Sequence, residues 1–254
     1  SYNTAVGFHA GNDVTTGVQN TFIGGLAGDA LTTGGDNTAL GYRSLSSGVA
    51  SFYNTAIGTF ALDSDTTGRH SVAVGRRALN SQNVTNSADM YNVAVGSDAG
   101  KSVTTGIENT IIGGVAGDAL TDADFNVAVG KESLTSDTLG SKSVAIGMGT
   151  LANQNFTSAT DTFNTAVGHI AGNAITTGTQ NTLIGGLAGD ALTDADFNVA
   201  MGVSALAGDT KGSKSTALGY FALSVQNFTS ATDVFNVAVG HVAGTAITTG
   251  VQNT

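Results

Sequence analysis

The sequence contains no cysteine, so it has neither a disulfide framework nor a thiolate metal site, and its redox compartment is left open. Charged residues make up only 11% of the 254, with 9 basic and 19 acidic side chains, and the net charge of −10 is spread thinly. Such a chain offers no basic stripe to nucleic acid or to anionic lipid. No apolar run is long enough to span a bilayer, so this segment is not expected to insert into a membrane. Leu, Glu and Lys are scarce beside Gly, Thr, Asn and Val, and no window carries the i, i+3, i+4, i+7 spacing of an amphipathic helix. Helix is disfavoured throughout.

What is present is a repeat. Fourteen times a short apolar strand ends in glycine, from Asn3-Thr4-Ala5-Val6-Gly7 to Asn236-Val237-Ala238-Val239-Gly240. The glycines fall at Gly7, Gly24, Gly41, Gly58, Gly75, Gly96, Gly113, Gly130, Gly147, Gly168, Gly185, Gly202, Gly219 and Gly240, a step of 17 residues broken by three steps of 21. Each long step follows a rung that begins with Ser, at Ser71, Ser143 and Ser215, whereas the other eleven rungs begin with Asn. The result is a 72-residue super-repeat of three short steps and one long one. A period of 17 suits one turn of chain with short strands and bends. The spacing therefore predicts an all-β fold, a parallel β-solenoid or β-roll of about 14 rungs forming one domain over residues 1–254. Both termini fall inside a repeat, as expected of a piece of a longer array. Stacked at roughly 4.8 Å, the rungs would extend about 65 Å.

Positions within the rung carry different expectations. The residue before each glycine is always large and aliphatic, and the residue two places earlier is always Thr or Val. In a strand these two share a face, which is expected to fill the solenoid core. The opposite face carries Ala in eleven rungs and Phe22, Ile111 and Leu183 in the others, with nothing polar. A strand uncharged on both sides is normally covered on both. The second face, comprising Ala5, Phe22, Ala39, Ala94, Ile111, Ala128, Ala166, Leu183, Ala200, Ala238 and their counterparts, is therefore expected to meet other copies in a homotrimer. The alternative is that the chain itself covers it. Asn at one register, as at Asn20, Asn109 and Asn181, should stack as an amide ladder with a structural role.

The strand Asn/Ser-Val/Thr-Ala-Val/Ile-Gly, as in Ser71-Val72-Ala73-Val74-Gly75 and Ser143-Val144-Ala145-Ile146-Gly147, resembles the head repeats of trimeric autotransporter adhesins. It is also similar to the shaft repeats of bacteriophage tail fibres. The resemblance spans the chain and implies a left-handed parallel β-roll, three chains about one axis, and an extracellular location on a bacterial cell surface or virion. It further implies attachment to a host-surface protein or glycan. The steps here are longer than in those heads, so a rung of two strands and one of three sides both stay open.

The four extra residues of each long step fall in segments 80–91, 152–163 and 224–235, which are expected to protrude. Gln154, Asn155, Phe156, Thr157, Gln226, Asn227, Phe228 and Thr229 are the ligand-binding candidates, since loops on a rigid scaffold commonly carry function. The other reading is that these segments only lock register. Asn83-Val84-Thr85, Asn155-Phe156-Thr157 and Asn227-Phe228-Thr229 match the N-glycosylation pattern, which matters only for a eukaryotic source. Asp122 with Asp124 and Asp194 with Asp196 have the spacing of paired carboxylates, but tandem duplication favours turn motifs. Gly96 to Ser102 has three residues between its glycines where a phosphate loop needs four. The four histidines form no constellation. No catalytic site, metal or cofactor is therefore expected, and the chain is not expected to be an enzyme. An ice-binding solenoid is the rival of another class, and it is disfavoured because the pairs Thr15-Thr16, Thr104-Thr105, Thr176-Thr177 and Thr248-Thr249 recur mainly once per super-repeat.

Overall fold

The computed structural model describes residues 2–254, and it is all-β with no helix among them. The chain divides into two compact units, residues 1–125 and 126–254. In the first, seven strands follow one another: β1 (Thr4–Val6), β2 (Thr21–Ile23), β3 (Thr38–Leu40), β4 (Thr55–Ile57), β5 (Val72–Val74), β6 (Val93–Val95) and β7 (Thr110–Ile112). In the second, seven equivalent strands are interleaved with two short pairs: β8 (Val127–Val129), β9 (Gly140–Ser141), β10 (Val144–Ile146), β11 (Thr160–Asp161), β12 (Thr165–Val167), β13 (Thr182–Ile184), β14 (Val199–Met201), β15 (Gly212–Ser213), β16 (Thr216–Leu218), β17 (Thr232–Asp233) and β18 (Val237–Val239). Each unit is a parallel β-solenoid of seven coils, fourteen coils in all, at the spacing the sequence predicts.

Neighbouring strands pair in parallel with no slip in register. Thr4, Ala5 and Val6 face Thr21, Phe22 and Ile23, and across a long step Val144, Ala145 and Ile146 still face Thr165, Ala166 and Val167. The strands form because their Thr, Val and Ile fit a pleated surface, and they stop at a glycine that no other residue can replace. These terminal glycines have φ between 131° and 141°. A Cβ on Gly185 would lie 2.6 Å from the carbonyl carbon of Gly202 in the next coil.

Three left-handed corners recur in each coil. They are the residue before the strand-opening Asn or Ser, such as Tyr53 or Phe163, the second after the strand glycine, such as Leu26 or Ile170, and the fourth, where Gly28 or Leu45 stands. Among the described residues, 35 non-glycine residues take positive φ, so glycine alone does not make these corners. A left-handed non-glycine costs about 1–3 kcal/mol and persists only where its surroundings over-determine it. Bonding from coil to coil supplies that here: Leu26 N donates to Phe8 O at 2.8 Å, Leu45 N to Ala61 O at 3.0 Å and Asp36 N to Val18 O at 3.1 Å.

The core is the reverse of the expected one. The Ala face of the strands points inward, and Phe22, Ala39, Ala94, Ile111, Ala128, Ala166, Leu183 and Ala200 are fully buried within their own chain, with Ala238 at 7%. Only Ala5, in the first strand, is exposed. The Thr/Val and aliphatic positions face outward, with Ile23, Leu40, Ile112, Ile146 and Met201 between 38% and 42% exposed. The Ala rank is therefore not the intersubunit surface the sequence suggested. The physical reason is thickness. The opposite wall sends in its own leucines, and little more than a methyl group fits against them.

The exceptions follow the same rule. Where the fourth residue after the strand glycine is leucine, as at Leu45, Leu134 and Leu206, it is fully buried opposite Ala39, Ala128 and Ala200. Where two successive coils have glycine there, the strand between them carries the large residue. Phe22 lies against Gly11 and Gly28, Ile111 against Gly100 and Gly117, and Leu183 against Gly172 and Gly189. A Cβ on Gly28 would sit 2.4 Å from Phe22 Cε1. Phe22→Ala is expected to leave a cavity costing about 3–5 kcal/mol, read from chemical denaturation. Gly28→Ala is expected to cost about 1–3 kcal/mol by overpacking against the ring.

Candidate functional site: the long coils and the exposed strand face

The strand-opening asparagines form a buried column of amides. Asn20 Nδ2 donates to Asn3 Oδ1 at 3.2 Å and to Gly34 O at 3.0 Å, while its backbone N–H donates to the same Asn3 oxygen at 2.9 Å. Asn37, Asn109 and Asn181 repeat the arrangement. Each amide thus satisfies groups of its own coil and the one before it, which is the requirement for a polar side chain in a dry core.

Ser71, Ser143 and Ser215 break this column, because a hydroxymethyl group is too short to reach the next amide. The long step repairs the break. Gln154 Nε2 donates to Ser143 Oγ at 2.9 Å and to Asp137 Oδ2 at 2.6 Å, and its Oε1 accepts Asn164 Nδ2 at 2.9 Å. Gln226 does the same for Ser215, Asp209 and Asn236 at 3.1, 2.6 and 2.7 Å. Gln82 bridges Ser71 and Asn92, both at 3.0 Å. The pairing of serine with a 21-residue step therefore has a cause: the glutamine takes the place of the missing asparagine.

This geometry corrects the expectation that the long steps protrude. Gln154 and Gln226 are fully buried, and Phe156 and Phe228 are 7% and 8% exposed. Only Asn155, Thr157, Asn227 and Thr229 of the eight candidates face solvent. The backbone N–H groups of Phe156 and Phe228 donate to Asp137 and Asp209 at 3.0 and 2.9 Å, fixing the segment against the preceding coil. The signal that separated the two sets was available in principle, since alternate residues of an extended segment point to opposite sides.

The paired acids are also occupied within the fold. Asp124 Oδ1 accepts Ile107 N at 2.8 Å, and Asp196 Oδ1 accepts Thr179 N at 2.7 Å and its hydroxyl at 3.0 Å. No group of three or more His, Cys, Asp or Glu among the described residues is arranged to hold a metal ion. Threonines do align on consecutive coils, as the pairs Thr15-Thr16 and Thr32-Thr33 and in the rank Thr176, Thr193 and Thr210. Hydroxyls of this rank donate to carbonyls of the next coil, as from Thr15 to Thr32 at 3.0 Å and from Thr193 to Thr210 at 3.0 Å. The neighbouring rank includes Asp122, Asp194 and Lys211, so no broad threonine plane results.

The remaining feature is the outer face of the strands. Its first and third strand positions are uncharged in every coil, and its flanking ranks add Tyr42, Tyr53, Tyr91, Phe163, Phe197 and Tyr220, each about half exposed. Exposed apolar side chains concentrated on one face mark an association surface.

Gln154→Leu is expected to cost about 3 kcal/mol or more in chemical denaturation, because it strands the buried Asp137, Ser143 and Asn164. Asn155→Ala, one residue away on the outside, is expected to stay within about 0.5 kcal/mol of the parent. No family model matches this chain, and no curated protein is significantly similar to it.

Proposed function

We propose that the chain is a structural fibre segment that associates with two further copies of itself through the outer face of its strands, and that it performs no catalysis. The observation that carries this reading is the uncharged strand face, with a large aliphatic residue in every coil left outside the solenoid core. Fully burying an exposed Val, Ile or Leu gains about 1.5–3 kcal/mol, so covering side chains already more than half buried gains only a fraction of that each, but repetition in every coil multiplies the incentive to cover the face. An identical face on each copy, closed by cyclic symmetry, covers it without leaving a contact open to sideways growth. Three copies about an axis, with each solenoid presenting one face inward, is the arrangement that the resemblance to adhesin heads and tail-fibre shafts also implies.

The same resemblance supports an extracellular setting, on a bacterial cell surface or a virion, where the segment spaces or attaches the particle to a host-surface protein or glycan. Burial of the long-step glutamines and phenylalanines favours the role of shaft over that of loop-borne receptor recognition. Any ligand of these segments would meet Asn155, Thr157, Asn227 and Thr229.

Light scattering at low protein concentration tests the association. A mass near three times the 25.2 kDa chain is expected. The double substitution Leu40→Lys and Ile112→Lys, which adds exposed charge without touching the Ala-lined interior, is expected to shift that mass to one chain while leaving the β-rich circular dichroism unchanged. A parent protein that is already monomeric overturns the reading.

A further inference from the structure

The three long coils are close copies and share the bridging glutamine, but the first differs from the others at several of the contacts that hold it shut. In the second and third, Asp137 and Asp209 each accept a glutamine Nε2–H at 2.6 Å on one oxygen. Their other oxygen accepts two backbone N–H groups, from Gly140 and Phe156 at 3.1 and 3.0 Å, and from Gly212 and Phe228 at 3.0 and 2.9 Å. In the first, Asp65 is fully buried and its Oδ1 accepts Gly68 N at 3.2 Å, while Gln82 and Val84 lie near enough to act on the carboxyl but close no hydrogen bond to Oδ2 of the quality seen at Asp137 and Asp209.

On the surface of the same coils, Lys142 pairs with Asp161 at 2.5 Å and Lys214 with Asp233 at 2.6 Å. The corresponding pair in the first is His70 Nε2 with Asp89 Oδ1 at 3.7 Å, an ion pair only when the imidazole is protonated. The second and third coils add the short strand pairs β9 with β11 and β15 with β17, where the first has a single bridge between Arg69 and Asp89. The buried Phe156 and Phe228 are replaced by the smaller Val84, which removes less apolar surface from water.

We propose that the first long coil, residues 80–91 with Asp65 and His70, is a pH-dependent clasp that closes on protonation and loosens on deprotonation, while the other two stay shut. A buried carboxyl whose hydrogen bonds are too weak to offset its loss of water is better accommodated neutral than charged. Burial accordingly pushes the Asp65 carboxyl up to about 7, against the opposing pull of hydrogen bonding from the uncharged Gly68, Gln82 and Val84. Around His70 the facing groups are the rings of Tyr53 and Tyr91, both stacked at 4.9 Å, and the Asp89 carboxylate. The Arg69 guanidinium lies over Phe52 at 5.4 Å, and Asp36 and Glu108 occupy the next positions of the ring column beyond the two tyrosines.

Asp65 has a folded value above its ordinary one, so its contribution is fully present below about 4 and is lost as pH rises through about 7. Among the three long coils, acidification is therefore expected to tighten the first.

Amide hydrogen exchange on the intact protein at pH 6 and pH 8, corrected for intrinsic exchange, is the test. Opening of segment 80–91 is expected to be about tenfold more frequent at pH 8, as one proton titrating at about 7 requires, with segments 152–163 and 224–235 unchanged. Asp65→Asn combined with His70→Lys installs an uncharged core partner and the lysine of the other coils, and is expected to flatten the response. Equal pH dependence in all three segments of the parent protein overturns the proposal without recourse to any variant. So does a response that survives the double substitution.

Discussion

The interior of each coil admits little more than one side chain from either wall, and much of the structure follows from that thinness. A strand with alanine on its inner face can approach the leucines of the opposite wall, and the large aliphatic residues beside each glycine have nowhere to go but outside. Close packing leaves no slack, so volume removed at Gly11 and Gly28 reappears in Phe22 on the strand between them. The super-repeat is thus a packing rule as well as a sequence pattern. Coils with glycine at the fourth position surround a large strand residue, and coils with leucine there surround alanine.

A thin core also restricts where polar groups can be satisfied. Backbone donors and acceptors are bonded from coil to coil, including those at the left-handed corners, so a residue in a costly conformation is held by the coils above and below it. The asparagine column extends the same logic to side chains. Its interruption by serine would leave buried amides unpaired, and the glutamine of the long step supplies the missing group. Insertion and substitution are therefore two halves of one feature. This is why the long step tolerates four more residues without shifting the strand register.

The outward aliphatic rank connects the fold to its proposed role. A solenoid whose interior is too narrow for its own large side chains presents them repeatedly on one face, which is the face that the proposed association would cover. The long coils fit that picture as internal splints, two of them closed by Lys–Asp pairs and the first by a His–Asp pair with a neighbouring buried carboxyl. Local stability in such an array need not be uniform, since each coil contacts chiefly its neighbours.

The order of the chain was plain from residue spacing. Fourteen glycines at steps of 17 and 21 determine a parallel solenoid, the strand boundaries and the stacking of asparagines, because a repeat fixes which positions must coincide. The association of serine with the long step was also visible as a correlation. Its reason was not, since nothing in the order of residues tells that Gln154 reaches Ser143 and Asn164 rather than solvent. Likewise, alternation assigns Ala5 and Val6 to opposite faces, but not which face is interior. That depended on the distance between walls, set by three left-handed corners that non-glycine residues such as Leu45 and Phe163 adopt against their own preference. Local pattern determined the repeat, and only the folded coil, through its thickness, decided what lies inside it.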